Sequence, residues 1–298
     1  MTLETIQREK IKDALLTYRQ QFDGTDRKFA NKFGINESVF SLIKRGKGSV
    51  KKLADDEWVR VGRILKVPLN EGVAWDVVKT ETFEYLTRQF AHCKQHSVAR
   101  LFVDKADIGK TTAATYYMLN NPNVFYIDCS LVKGRRDFIK ALATQVGVKA
   151  IGSLQGMIED IGYMLQATRK PLVILDEAGD LKYEAFLEIK ALWNALEGAC
   201  GWYMMGADGL KKKIELAMHN LKVGYAEIFR RFGNGYNCVT PQNDKVALQQ
   251  FMRQQAQHVI GVNLPNVDER KIIVKDNLSL TRVKENIIKE RSLLKRAS

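Results

Sequence analysis

The sequence predicts an α/β fold: a parallel sheet covered by helices, with all-helical regions before and after it. Three observations predict it. Between residues 99 and 239, short and nearly continuous apolar runs are separated by stretches of helical period, the pattern of strands buried on both faces. The run Ala99–Val103 is followed by Asp107-Ile108-Gly109-Lys110-Thr111-Thr112, which has the form of a phosphate loop opening a helix. The run 172–175 ends in Asp176 and Glu177. Those acids stand at the carboxyl edge of a strand, where open α/β sheets bind ligands.

Taken in order, residues 1–70 read as helical. Ile6, Ile11, Leu15, Leu16 and Tyr18 mark an amphipathic helix, then 26–33, a turn at Gly34, Glu37–Lys44, and 53–65 stopped before Pro68. Residues 73–95 read as one long helix with Trp75, Val78, Phe83, Leu86 and Phe90 inward. The strands come next at Ala99–Val103, 124–127, 172–175, 202–205 and 236–239, with helices at 111–119, 136–146, Leu154–Ala167 and 183–196 between them. After Pro241 only helical signal is left, at 244–259, 268–275 and 281–295. The expected division is 1–70, 71–240 and 241–298.

Bulk numbers limit the function classes. The chain has 298 residues, 45% of them hydrophobic, enough for one large domain or several small ones. Its 47 Lys+Arg against 34 Asp+Glu give a net charge of +13. That excess suits a nucleic-acid partner, or else a solvated basic surface. Cys93, Cys129, Cys200 and Cys238 are widely spaced and form no CxxC pair, as in a reducing compartment. Charges run through the first twelve residues, at Glu4, Arg8, Glu9, Lys10 and Lys12, and no run of 18 apolar residues occurs. No membrane partner and a cytoplasmic location are therefore expected.

The chemistry is concentrated in the two central segments. Backbone amides at the start of a helix face an anion, and the helix dipole favours it there. Lys105, Ile108, Gly109, Lys110, Thr111 and Thr112 are the expected nucleotide contacts. Lys110 would neutralise the β- and γ-phosphates, and Thr111 with Asp176 would hold Mg²⁺. Glu177 would polarise the attacking water. The bland alternatives are an ordinary helix start at Lys110 and a helix cap among the acids. Asp104 stands where a phosphate loop opens with glycine. Its carboxylate is expected to face the triphosphate, as is that of Asp107, and weaken binding.

Together these segments resemble the AAA+ superfamily. The order of parts resembles its transposition-regulator branch, that of the phage Mu B protein and related transposon ATPase subunits. The residues that carry this are IGKTT, LVILDEA, a strand ending in Met204-Met205-Gly206, Phe229-Arg230-Arg231, and helical regions at both ends. The resemblance implies a P-loop AAA+ parallel-sheet core with an N-terminal helix-turn-helix domain and a C-terminal helical lid. It implies an ATPase using ATP and Mg²⁺, a homo-oligomeric ring or filament on double-stranded DNA, and a transposase partner. It also implies a bacterial, phage or mobile-element origin. By the same resemblance Arg230 and Arg231 fall at the arginine finger and Arg282 at the lid arginine. Ala207 replaces the usual polar sensor, so slow hydrolysis is expected. A weakly hydrolysing DNA-binding regulator and a helicase loader are the alternatives.

The N-terminal region supplies the DNA reading. Phe29, Ala30, Gly34, Ile35, Phe40 and Ile43 match helix-turn-helix spacing, with Gly34 in the turn and Asn36 capping the second helix. Ser38, Ser41, Lys44 and Arg45 would then face the major groove, with Lys47, Lys51 and Lys52 beyond them. Lys133, Arg135 and Arg136, after the 124–127 strand, are a second candidate DNA surface. A plain helical bundle and a solvated basic loop are the respective alternatives.

Overall fold

A computed structural model of the chain describes residues 3–46, 49–67, 75–265, 267–274 and 277–297. The N-terminal domain comprises helices α1 (Thr5–Gln21), α2 (Asp26–Lys32), α3 (Glu37–Lys44) and α4 (Asp55–Ile64). The α2–α3 turn depends on Gly34 at φ +64°, a left-handed conformation that L side chains resist. Arg60 clamps this turn, donating to the Phe33 and Gly34 carbonyls at 3.1 and 3.0 Å. Asn36 accepts the Ser38 N–H at 2.9 Å and so starts α3. Phe29 packs against Phe33 and Phe40, both at 4.9 Å between ring centroids, over a fully buried Trp58. Ile6 differs from expectation. It is exposed, and the apolar face of α1 is Ile11, Leu15 and Tyr18.

Helix α5 (Glu81–His96) begins eight residues later than its apolar pattern suggested. Thr80 caps it by accepting the Phe83 N–H, and residues 75–80 are not helical. Residues 73–74 and Pro68 lie outside the described residues. Trp75 and Val78 are apolar because they pack on the C-terminal helices, not because they continue α5.

The sheet has strands β1 (Ala99–Val103), β2 (Val124–Asp128), β3 (Leu172–Asp176) and β4 (Gly201–Gly206), all parallel in the order β1-β4-β3-β2. Leu101, Val173, Leu175, Trp202 and Met204 face α7 (Arg135–Val146), α8 (Leu154–Ala167), α9 (Tyr183–Ala195) and α10 (Asp208–His219). Phe102, Tyr126, Ile174 and Tyr203 face α5 and α6 (Lys110–Asn120). Both faces are thus apolar, as the uninterrupted runs required. The fifth run, 236–239, is not a strand. It makes a single parallel bridge, Phe102 to Asn237. The next donors, the Val239 and Thr240 N–H groups, turn to the Asp104 carboxylate instead of extending a ladder.

After α11 (Tyr225–Arg231) the chain enters a helical lid of α12 (Lys245–Asn263), α13 (Glu269–Ile272) and α14 (Leu280–Ala297). Ala256, Ile260, Ile272, Val283 and Ile287 form its core. Asn263 fastens the lid to the 75–80 segment, accepting the Asp76 N–H at 3.0 Å and donating to the Asp76 carbonyl at 3.1 Å. At the other side the N-terminal domain is seated on the β2 edge. Leu119 of α6 packs into its core, and the Lys32 ammonium, bonded to the Tyr18 hydroxyl, lies 5.3 Å from the Phe125 ring.

Close packing of α5 on β4 gives a stability prediction. A Cβ on Gly201 would fall 2.3 Å from the Cys93 carbonyl oxygen. Gly201→Ala should destabilise the chain by about 1–3 kcal/mol, read as a lower midpoint in thermal or urea unfolding.

Candidate nucleotide site

The loop from Asp104 to Gly109 leaves β1 and enters α6, with Asp107 at φ 58° and Gly109 at φ 95°. Gly109 caps α6, so the first amides of that helix are presented at the sheet edge. Lys110 is 5% exposed. Its ammonium donates to the Asp104 and Lys105 carbonyls at 3.2 and 2.6 Å. Burial depresses its pKa, while Glu177, Asp176, Asp104 and Asp107 work against that and favour the charge.

The structure brings β3 to the same place. Thr111 donates its hydroxyl to Asp176 Oδ2 at 2.6 Å, across 65 residues of sequence. Asp176 Oδ1 accepts the Glu177 N–H at 2.9 Å. Glu177 is in the left-handed region at φ 49°, a conformation that costs energy and is concentrated at functional sites. Burial first, and then the Asp176 charge, raise its pKa. The Thr111 hydroxyl and Asp176 are hard oxygen donors of the kind Mg²⁺ takes alongside water and phosphate oxygens. Lys110, Glu177, Gly109, Thr111 and Thr112 line a cavity of about 600 Å³ together with Trp75, Val78, Phe83, Val259, Leu280 and Lys284. Its polar end is the loop and its apolar end lies between the 75–80 segment and the lid. Ile108 is fully buried beneath the loop.

Asp104 behaves contrary to expectation. Its side chain turns away from the helix start and is 2% exposed. It accepts the Val239 N–H at 2.6 Å, the Thr240 N–H at 3.0 Å, the Lys105 N–H at 2.8 Å and the Thr240 hydroxyl. Its φ is negative, so no glycine is needed there among the positive-φ positions of the loop. Asp107 does line the cavity, but its carboxylate accepts the Ser279 and Thr281 hydroxyls at 2.8 and 2.9 Å, tying loop to lid. Lys105 reaches Asp208 at 3.1 Å rather than either loop acid.

Arg282 does not line the cavity. Helix α14 begins at Leu280, so Leu280, Thr281 and Lys284 share the inward face, and Arg282 lies about 200° around from Leu280. It pairs instead with Glu285 at 2.8 Å. Lys284 is the cationic side chain of the lid at the cavity, its ammonium 5.2 Å from the Trp75 ring. Arg230 is exposed at the end of α11. Arg231 is half-buried, with its guanidinium 4.8 Å over the Trp193 ring. Neither is in the cavity wall.

The candidate DNA residues divide by their partners. Ser38 and Arg45 are exposed on or just after α3, and Ser41 is half-buried. Lys44 is paired with Asp26 at 3.0 Å, and Arg19 shares that carboxylate, holding it below its ordinary pKa. Lys47 lies outside the described residues. Lys133 and Arg135 are bound to Asp180 and Glu188 at 2.9 and 2.6 Å. Arg136 is exposed and enters none of the ion pairs found among the described residues.

Residues 79–214 match the family model described as an AAA domain. That span runs from the cap of α5 through the phosphate loop, all four strands and Glu177 into α10. The parallel-sheet core with its loop at Gly109-Lys110 has the P-loop AAA+ fold, with helical regions before and after it, and the matched span covers under half of the chain. No curated protein matches the chain. Among solved structures, the Orc1 protein of Aeropyrum pernix, described in complex with DNA, is similar at a TM-score of 0.47 and 16% identity. That similarity covers 76% of this chain and 64% of the other.

The Asp104 geometry reverses the direction expected for a substitution. Asp104→Gly should leave the half-buried Val239 and buried Thr240 donors unpaired and destabilise the chain by about 1–3 kcal/mol. ATP should bind no more tightly than to wild type. Thermal unfolding and nucleotide titration of both proteins check this, and a variant of undiminished stability that binds ATP more tightly would contradict it.

Proposed function

We propose that the chain is an ATP-dependent DNA-binding ATPase that oligomerises on duplex DNA and there recruits or activates a transposase, taking part in target selection. One observation carries the ATPase reading. Lys110, Thr111 and Glu177, from the start of α6 and the end of β3, line one cavity, and Asp176, buried behind them, accepts the Thr111 hydroxyl. The transposase rests on the resemblance in the order of parts, and the AAA-domain match is equally compatible with a helicase-loading client.

The chemistry is divided among a few residues. Lys110 and the amides at the start of α6 bind the phosphates, and the carbonyls of Asp104 and Lys105 keep the ammonium at the loop. Bound Mg²⁺ would neutralise charge on the β- and γ-phosphates beside Thr111 and Asp176. Glu177 orients and deprotonates water, and its raised pKa places it closer to neutrality than an ordinary glutamate. Because Glu177 must be ionised to act, hydrolysis should fall as pH drops through that raised value. The apolar end formed by Trp75, Val78 and Leu280 suits a nucleobase.

Arg230 supports assembly. It is exposed and outside its own cavity, so it is available to complete the site of a neighbouring copy, where an arginine stabilises charge on the transferred phosphoryl group. Arg231, stacked on Trp193, supports the position of that helix end. Ser38 and Arg45 of the recognition helix, with Arg136, are the candidate DNA contacts left free by intramolecular pairing. The rival reading of a degenerate nucleotide site loses one of its two grounds, because Asp104 does not point at the phosphates. Ala207 is the other, and slow turnover remains part of the proposal.

Glu177→Gln tests the proposal. It should bind ATP as wild type does but release phosphate about 10²–10⁴-fold more slowly. With duplex DNA it should accumulate as ATP-bound oligomers visible by electron microscopy. Undiminished phosphate release, or a protein that stays monomeric with ATP and DNA, would count against it.

A further inference from the structure

One hydrogen-bond partner of Asp176 has no part in the chemistry above. Tyr126 stands on β2, on the sheet face covered by α5 and α6, and is 2% exposed. Its hydroxyl donates to Asp176 Oδ2 at 2.7 Å, the same oxygen that accepts the Thr111 hydroxyl. With the Glu177 N–H on Oδ1, the carboxylate is held on both oxygens. Carboxylates that hold metals are oriented by such outer partners, whose loss typically weakens metal binding about 10–100-fold.

The partner of Tyr126 comes from a different domain. Lys66, in the turn after α4, places its ammonium 3.8 Å from the centroid of the Tyr126 ring. The residue is exposed as a whole, so its stem runs along the surface and its charged end turns inward. Lys66 has φ 53°, at a helix C-terminus where glycine is the usual occupant. The Val67 N–H bonds back to the Gly62 carbonyl at 2.8 Å and closes this turn. A lysine held in that conformation, with its cation on an aromatic face beside the acids Asp128 and Asp176, makes a cation–π contact that favours this orientation of the ring. It exists only while the N-terminal domain sits on the β2 edge.

We infer that Tyr126 is a positioning residue for Asp176, and that Lys66 makes this positioning depend on the seating of the N-terminal domain. The inference rests on the ATPase reading of the site. The domain proposed to read DNA is thereby coupled to the cation end of the nucleotide site through Lys66, Tyr126 and Asp176. With the domain seated, Asp176 keeps both orienting hydroxyls. When the domain moves off, the ring face is released to water, the phenol can turn away, and Asp176 keeps the Glu177 amide but only one of its two hydroxyl donors, Thr111.

The test uses the full chain as wild type, Tyr126→Phe, Lys66→Met, Lys66→Arg and the Tyr126→Phe/Lys66→Met double variant. A fluorescent ATP analogue is titrated in EDTA and across a Mg²⁺ series. Tyr126→Phe should raise the half-saturating Mg²⁺ concentration by about tenfold. Lys66→Met should raise it by about threefold. The double variant should match Tyr126→Phe, because both changes break one chain of contacts. Affinity in EDTA should be unchanged throughout, and Lys66→Arg should behave as wild type.

A second readout needs no nucleotide. In protein labelled with 3-fluorotyrosine, the fluorine resonance that vanishes in Tyr126→Phe should move in Lys66→Met and stay in place in Lys66→Arg. An unmoved resonance, a wild-type Mg²⁺ requirement in Lys66→Met or Tyr126→Phe, or additive effects in the double variant would overturn the inference. Failure of the wild-type chain to bind the analogue even with Mg²⁺ would instead overturn the ATPase reading, and this inference with it.

Discussion

The bond from the Thr111 hydroxyl to Asp176 joins two segments that the chain itself keeps 65 residues apart. Everything proposed about nucleotide chemistry depends on that meeting. It is a consequence of the sheet. The order β1-β4-β3-β2 separates β1 from β3 by a single parallel strand, so the loop leaving one and the acids ending the other emerge at the same edge. The burial of Lys110 and Asp176 there is tolerable because each is satisfied. The lysine has carbonyls and nearby acids, and the aspartate has two hydroxyls and an amide.

Asp104 shows how a departure from a motif can be absorbed by its surroundings. A carboxylate in place of glycine would be harmful if it faced phosphate. Here it takes over the Val239 donor that a fifth strand would otherwise have given to β1, together with the Thr240 donor next to it. The missing strand and the missing glycine are therefore one feature. The lone bridge at Asn237 keeps the segment in register beside β1, and the aspartate anchors Val239 and Thr240 just beyond it. Asp107 does comparable service toward the lid through Ser279 and Thr281, so both loop acids are engaged by polypeptide.

Much of this was legible in the sequence, because it depended on local pattern. The four strands, the helices between them, the Gly34 turn and the Asn36 cap all derive from period and from residue conformational preference. The α6 start at Lys110 and the acids closing β3 could be placed by their neighbours alone. What escaped depended on tertiary partners. Trp75 and Val78 carry a helical spacing yet belong to an extended segment, since the lid core rewards their burial as well as a helix would. Arg282 follows from the family resemblance, but the phase of α14 turns Lys284, not Arg282, toward the cavity. Tyr126 reads as an ordinary strand aromatic, and Lys66 as a surface charge. Only their contact in space marks them.

The nucleotide chemistry stands or falls on Lys110 and the Thr111–Asp176 pair seating a nucleotide triphosphate in the cavity beneath the lid. Calorimetric titration of ATP with Mg²⁺ into the full wild-type chain and into Lys110→Ala is the decisive measurement. Wild type should bind saturably, and binding should weaken about tenfold to a hundredfold when the charged donor is lost. Equal affinity of the two proteins, or no saturable binding by the wild-type chain, would refute the assignment.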